Sequence, residues 1–338
     1  MHRGSRSTLP SPSAIAARIA APPPTGHGCP QPYAWRPMTG RSRTVVATTT
    51  WNTGALVDDF LDHYRRLGAA AVLLMDFGSV DGTRERVVAW GDFVEVFDLP
   101  SLAGKDSSNA LLAEAKKRYP KEWWCLFCDP DEFLVTPRMQ IGDASAAALP
   151  DAGTIVVERR NMTGPRSIAT AQADLSPLRG LTLRVDGRHE RTNQEMLDHE
   201  RRLEPPWIYT AVPGKVLVRL GVADSIGDGD HVATTTAAAT ATAPPSDAYL
   251  LHYPFRDYGE FAAKVELARQ DFGENEYPVG FAWQYRRWLR CLEQHRLARE
   301  YLEQFVPDKR VPQLIAEGVL TEDTTVRDFH AIAASLAR

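Results

Sequence analysis

The sequence predicts an α/β fold: a mostly parallel sheet with helices on both faces, followed by a small helical C-terminal region. Three observations predict it. Trp123 to Cys128 (W-W-C-L-F-C) is an unbroken apolar run, the composition of a strand buried on both faces of a parallel sheet. From Arg43 onward, β-branched or apolar runs alternate at short spacing with amphipathic stretches, the pattern of βαβ units. Several of these runs end on acids, hydroxyls or glycine, and in open α/β sheets ligands bind at the carboxyl ends of strands.

Residues 1–40 are rich in Pro, Ala, Ser and Arg, lack an apolar period and are expected to form a disordered extension. Arg43 to Thr50 is a β-branched first strand. After the break at Trp51-Asn52-Thr53-Gly54, apolar residues recur at Val57, Phe60, Leu61, Tyr64 and Leu67, a helical stripe that Gly68 terminates. Ala69 to Met75 is a second strand, running into an acid- and glycine-rich turn, Asp76 to Thr83, that opens a helix through Val87 to Trp90. Phe93 to Phe97 gives a third strand, Lys105 to Tyr119 an amphipathic helix, and Trp123 to Cys128 the central strand.

Beyond it, Gly153 to Glu158, Trp207 to Ala211 and Lys215 to Leu220 read as strands, with Arg159-Arg160-Asn161 at the end of the first. Asp174 to Pro206 has little period and is expected to form loops over the site; Ile226 to His231 is a turn holding two acids and a histidine. Residues 232–247 contain T-T-T-A-A-A-T-A-T-A-P-P and are expected to be a mobile low-complexity loop. Order returns at Ala248 to Phe255, and Phe261 to Phe272, Phe281 to Phe305 and Val326 to Leu336 carry helical periodicity. The sheet domain is expected to fill 41–255 and the helical appendage 256–338.

With 338 residues and 43% hydrophobic content, the chain has room for one large domain with an appendage, or for two. A formal net charge of -4 gives no basic footprint for nucleic acid and none for an acidic membrane surface. No segment approaches the roughly 18–20 apolar residues of a transmembrane segment, and the N-terminal region lacks the apolar continuity of a signal peptide. Cys125 and Cys128 have C-x-x-C spacing, but a strand points them to opposite faces, so they read as small buried hydrophobes. A cytoplasmic protein is expected, and there the acceptor-like triplet Asn161-Met162-Thr163 carries no glycan.

The central strand stops at Asp129-Pro130-Asp131-Glu132. Carboxylates beside an apolar strand are costly unless something positive satisfies them, and a hard divalent cation does so through oxygen ligands. Pro130 restricts the backbone between the aspartates, although the same residues also make an ordinary polar turn. The rim built by Thr48 to Asn52, Asp76 to Asp81 and Asp129 to Glu132 offers hydroxyls, carboxylates and an amide, a composition for a sugar, a nucleoside and a metal. There is no G-x-x-x-x-G-K-[ST] phosphate loop, and no G-x-G-x-x-G follows the first strand. Lys215 and Arg219 have charge enough to neutralise phosphate, yet alternation shows such residues to solvent; His63 on the first helix reads as a packing or helix-end residue.

Four blocks in order make the chain resemble bacterial family 2 glycosyltransferases, in the subgroup whose metal motif reads D-x-D-E-F. They are Asn52-Thr53 with Asp59-Phe60, His63-Tyr64 and Gly68; Asp76 to Thr83; Asp129-Pro130-Asp131-Glu132-Phe133; and Leu251-His252-Tyr253-Pro254-Phe255-Arg256 with Phe261 and Lys264. The chain departs from the pattern at Thr53, Phe77 and Asp257 and in the inserted stretch Thr234 to Pro245. The resemblance implies a glycosyltransferase A-type fold that binds a nucleotide-diphosphate sugar and transfers it with metal dependence and inversion. Asp76 would then bind the base, Thr48 or Thr50 would line the nucleoside site with Asn52 on the same rim, and Asp129 would contact ribose or metal. Asp131 would ligate Mn2+ or Mg2+, with His231 or His252 as a late ligand. Glu132, read from its position alone, is either an acid orienting the metal's water from behind or a helix N-terminal charge, the first being favoured.

Inverting transfer also needs a carboxylate that takes the acceptor's proton. Glu158 is the first candidate; Asp186, Glu190 and Glu195 stay open. Two other readings are a catalytically silent sugar- or nucleotide-binding protein on the same sheet, and a nucleotidyltransferase. The second wants a glycine-rich phosphate loop after the first strand, where only Gly54 stands.

Overall fold

The structure, a computed structural model, describes residues 42–54, 56–98, 106–146, 152–170, 177–188, 205–236, 248–274 and 282–336. The extension expected over 1–40 and most of the loop expected over 232–247 lie outside the described residues, as do Glu190 and Glu195.

Strands β1 (Thr44–Thr50), β2 (Val72–Asp76), β3 (Val94–Asp98) and β4 (Trp124–Phe127) lie side by side in the order β4-β1-β2-β3, all parallel. Helices α1 (Leu56–Arg66), α2 (Thr83–Val88) and α3 (Ser107–Arg118) make the crossovers. Alternate strand residues face opposite ways. Val46, Leu74 and Leu126 therefore share a core with Phe60, Leu61 and Tyr64 of α1, while Val45, Leu73 and Phe127 pack with Leu111, Leu112 and Ala115 of α3. Cys125 joins the second core and Cys128 the first, both buried and unpaired. Gly68, at φ 81°, ends α1 in a Schellman turn: its N–H donates to Arg65 O (3.1 Å), and that of Ala69 donates to Tyr64 O (3.0 Å).

The second half departs from the parallel pattern. It contributes β5 (Glu132–Val135), β6 (Thr154–Thr163), β7 (Leu183–Val185), β8 (Lys215–Arg219), β9 (Ala223–Ile226), β10 (Ala233–Thr235), β11 (Tyr249–His252) and β12 (Leu320–Glu322). β8 runs antiparallel against β4, and β6, β7 and β12 follow in turn, each antiparallel to its neighbour. β11 pairs parallel with β6 and antiparallel with β5; β9 and β10 form a separate hairpin. Two sequence expectations change here. Trp207 to Ala211 is not a strand: Trp207–Tyr209 is a 3-10 turn after Pro206 that drives Trp207 and Ile208 into the core. Arg159 to Asn161 lies within β6 instead of at its end.

The C-terminal region holds α4 (Tyr258–Glu274), α5 (Trp283–Glu293), α6 (Leu297–Glu303), α7 (Val311–Ala316) and α8 (Thr325–Leu336). The helix expected over Phe281 to Phe305 is broken after Glu293, where His295 takes φ 54°. Phe261, Trp288, Tyr301 and Phe329 share one apolar core with Leu134 and Leu251 of the sheet, so these helices are built onto it.

His63 is a packing residue. It is fully buried, its Nε2 lies 2.8 Å from Leu134 O, and its Nδ1 lies 3.2 Å from His330 Nε2 on α8. Burial holds both imidazoles below their ordinary pKa, with His330 adding to the effect on His63 and Asp62 opposing it at His330. A base whose folded pKa is lowered gives stability that is present above its unfolded pKa and lost as pH falls. Unfolding free energy from urea titrations is therefore expected to drop below about pH 6.5, by about 1.4 kcal/mol per pH unit for each such histidine. A His63→Asn variant should flatten that slope.

Candidate active site

The parallel strands end together. Thr50 pairs with Asp76 and Asp76 with Asp98, while Cys128 N donates to Ala47 O (3.2 Å), so Asp129 emerges beside the end of β1. Two loops are knitted across this rim. Asn52, at φ 49°, donates its N–H to Ser79 Oγ (2.9 Å) and accepts from Val80 N through Oδ1 (2.8 Å). Asp76 Oδ1 accepts from Ser79 N and Oγ (3.1 and 2.6 Å). The Thr83 hydroxyl accepts from the N–H groups of Thr53 and Gly54 (3.0 and 2.9 Å) and donates to Asp81 (2.6 Å). Gly82 precedes α2 at φ 87°, a conformation that favours glycine. Thr48 and Thr50 are buried on β1, and the Thr50 hydroxyl is 2.8 Å from that of Thr53. The structure thus gathers Thr48, Thr50, Asn52 and Asp76 at one rim, with the Asn52 side chain bound to the neighbouring loop.

The acids form the turn between β4 and β5. Glu132 N donates to Asp129 O (3.0 Å), closing a turn with Pro130 at its second position, and Asp129 N donates back to Glu132 Oε2 (2.8 Å). Each acid meets a cation. Lys215 Nζ is 2.8 Å from Asp129 Oδ2, Arg159 donates to Glu132 Oε1 at 2.8 Å, and Arg256 donates to Asp131 Oδ2 at 3.0 Å. Lys215 points inward, contrary to the solvent-facing expectation, and also donates to Gly229 O (2.9 Å) beside the buried Asp230. Burial works against its charge, but Asp129, Glu132 and Asp230 outweigh this and raise its pKa. Burial pushes Glu132 up to about 7 against the pull of Lys215 and Arg159, whereas at Asp129 Lys215 overrides burial and keeps the carboxyl low.

His252 completes the cluster. Asn161 Nδ2 donates to Ile208 O (3.0 Å), so its Oδ1 is the acceptor 2.8 Å from His252 Nδ1. The proton is thereby fixed on Nδ1, which leaves the lone pair on Nε2, 3.8 Å from Asp131 Oδ1. Burial and then Arg159 lower the pKa of His252, so it is neutral at pH 7. Donor atoms of Asp131, Glu132 and His252 lie within 4.8 Å of one another. Carboxylate oxygens, a neutral imidazole nitrogen and an amide fixing its tautomer suit a divalent metal ion. His231 is not part of this group: its Nδ1 bonds Gly214 O (2.8 Å), and burial, Lys215 and Arg159 bring it down to about 4.

Glu158 is not brought to the cluster. Along β6, Arg159 and Asn161 face the acids, so Glu158 and Arg160 face the other way. There Glu158 pairs across with Tyr249 and is held by Arg160 (2.8 Å) and by Arg188. Burial favours protonation of Glu158, but these arginines hold its pKa low, the opposite of what a proton acceptor needs. Asp186 is held in the same way by Arg184 (2.8 Å). Sequence reasoning did not single out Arg159, Asn161 and Asp230. The nearest signal was the charge and amide embedded in a β-branched run.

No family model matches the chain, and no curated protein matches it in sequence. Solved structures are similar to it at low overlap. One is S. aureus TarS 1-349 in complex with UDP-GlcNAc, 14% identical with a TM-score of 0.35, covering 81% of this chain and 79% of that one. Another is TarS 1-349 in complex with UDP, 16% identical with a TM-score of 0.31 over 52% and 46%. A third is glucosyl-3-phosphoglycerate synthase from Mycobacterium tuberculosis with Mn2+, UDP and glucosyl-3-phosphoglycerate, 15% identical with a TM-score of 0.32 over 57% and 63%. The chain therefore spans less than two thirds of the length of the last two. No helix among the described residues is long and apolar enough to cross a membrane.

Proposed function

We propose that the chain is a metal-dependent, inverting glycosyltransferase that moves a sugar from a nucleotide-diphosphate donor to an acceptor hydroxyl. The observation that carries this reading is the grouping of Asp131, Glu132 and His252 donor atoms within 4.8 Å of one another, with His252 Nε2 3.8 Å from Asp131 Oδ1, at the carboxyl end of the central strand. Thr48, Thr50 and Asp76, gathered at the ends of β1 and β2, then take the nucleoside, with Asn52 tying the two loops that frame it. Asp131 and His252 would hold the cation, and Asp129, paired with Lys215, would contact ribose or the metal. A divalent ion bound there supplies positive charge for the diphosphate as it leaves. The acceptor oxygen bonds to the anomeric carbon from the face opposite the diphosphate. The bond from carbon to the diphosphate oxygen breaks with its electron pair on that oxygen, and the acceptor's proton passes to a carboxylate other than Glu158.

Calorimetric titration with uridine, guanosine, thymidine and cytidine diphosphates, each with and without Mn2+, tests the proposal. One nucleotide should bind, and its binding should require metal. No binding by any of the four would favour the catalytically silent or non-nucleotide reading and remove the basis for glycosyl transfer.

A further inference from the structure

The acids of the turn are matched cation for acid: Asp129 by Lys215, Glu132 by Arg159 and Asp131 by Arg256. Asp230, 3.7 Å from Lys215, and Lys264, favoured as a cation by Tyr285 and then by Asp131 and Asp129, add a charge of each sign. The cluster is thus close to neutral. A divalent ion makes it positive, and the diphosphate of a nucleotide sugar offsets that charge.

The cations differ in the elements that carry them. Arg159 and Lys215 project from β6 and β8 with side chains 9% and 2% exposed, fixed by the ladder between those strands. Arg256, 11% exposed and so nearly as covered as Arg159, stands on the loop between β11 and α4. Its guanidinium spans Asp131 Oδ2, Tyr253 O (3.0 Å) and Glu260 (2.8 Å), a carboxylate 40% exposed. Its buried Nε has no hydrogen-bond partner among the described residues. The carboxylate that Arg256 holds is the one His252 faces, so a metal ion there and the guanidinium would set two positive charges against one acid within a few ångström.

We propose that Arg256 is an exchangeable counter-ion that competes with the divalent cation for Asp131 and, once displaced, binds the donor's diphosphate. A guanidinium suits that second role because its fork matches phosphate oxygens. This inference rests on the metal-dependent reading of the site above.

The test uses the full chain with Arg256 intact, with R256Q and with R256K. Mn2+ binding is followed by the electron paramagnetic resonance signal of the free ion, and pyrophosphate binding by calorimetry with Mn2+ held saturating. R256Q is expected to bind Mn2+ alone about tenfold tighter and pyrophosphate about tenfold weaker, because one positive charge is removed from both encounters. R256K, unable to span Asp131 and Glu260 together, should shift Mn2+ binding the same way by less while keeping most of the pyrophosphate affinity, which guards against a glutamine variant that fails to fold. If the parent chain binds both ligands and neither variant binds Mn2+ more tightly, the inference is overturned while the metal-site reading stands. Tighter Mn2+ binding with unchanged pyrophosphate affinity would overturn the diphosphate role. If the parent chain binds no Mn2+, the metal-site reading fails and the inference fails with it.

Discussion

Asp131→Asn is expected to lower donor-dependent turnover by about a thousandfold, the scale on which preorganised charge at a leaving group acts. The substitution keeps the shape of the side chain and an acceptor oxygen for Arg256 while removing the charge a divalent ion requires. The backbone role of residue 131, accepting from Tyr253 N at 2.9 Å, is untouched. Arg256 keeps Glu260 as a partner, so unfolding free energy should change by about 1 kcal/mol or less. Turnover at saturating Mn2+, the Mn2+ titration and a urea unfolding curve together separate loss of charge from loss of fold. Activity retained within about threefold, on a site whose single best ligand had gone, would place the metal elsewhere or nowhere.

The parallel half of the sheet was legible because its signals are local. β1 is β-branched, α1 carries a clean apolar stripe ended by Gly68, and β4 is apolar throughout. Asp129 and Asp131 were legible for the same reason, since a strand that ends on acids is visible in a dozen residues. Strand direction in the second half was not legible: β8 lies beside β4 only because of contacts made 90 or so residues apart, and nothing inside K-V-L-V-R encodes them. Separations of 27, 86 and 125 residues likewise hid the partners of Glu132, Asp129 and Asp131. Lys215 was assigned to solvent by strand alternation, which gives the face but not whether that face is covered. Glu158 is one residue out of register with the acids: in a strand of period 2, the face that meets them carries Arg159 and Asn161. His252 and His231 each have Nδ1 bonded to an acceptor, Asn161 Oδ1 and Gly214 O, and what separates them is place: the donor atoms of His252 lie within 4.8 Å of those of Asp131 and Glu132.

Lys215→Met should be the most destabilising change at the site, and its cost should depend on pH. The methionine fills similar volume in a strand whose neighbours Val216, Leu217 and Val218 are buried, so the loss is electrostatic. Asp129, 39% exposed, can regain water, and Glu132 keeps Arg159. Among the described residues Asp230 keeps Ser108, at 2.5 Å, and Gly229 O loses the ammonium it accepted from. Removing one partner from buried charges of this kind costs about 3 kcal/mol or more. Burial already raises Glu132 and Asp230 above their ordinary values, Glu132 to about 7, and losing Lys215 raises both further. A carboxyl whose folded pKa is raised penalises the fold above that pKa, and the penalty is relieved as pH falls toward its unfolded value. Urea unfolding should therefore show a deficit relative to the parent chain near its full size at pH 8 and clearly smaller at pH 5.5, where Glu132 takes up a proton. A deficit of the same size at both pH values would mean that Lys215 acts through packing alone, and the acids of the turn would then owe their positions to the backbone and to Arg159.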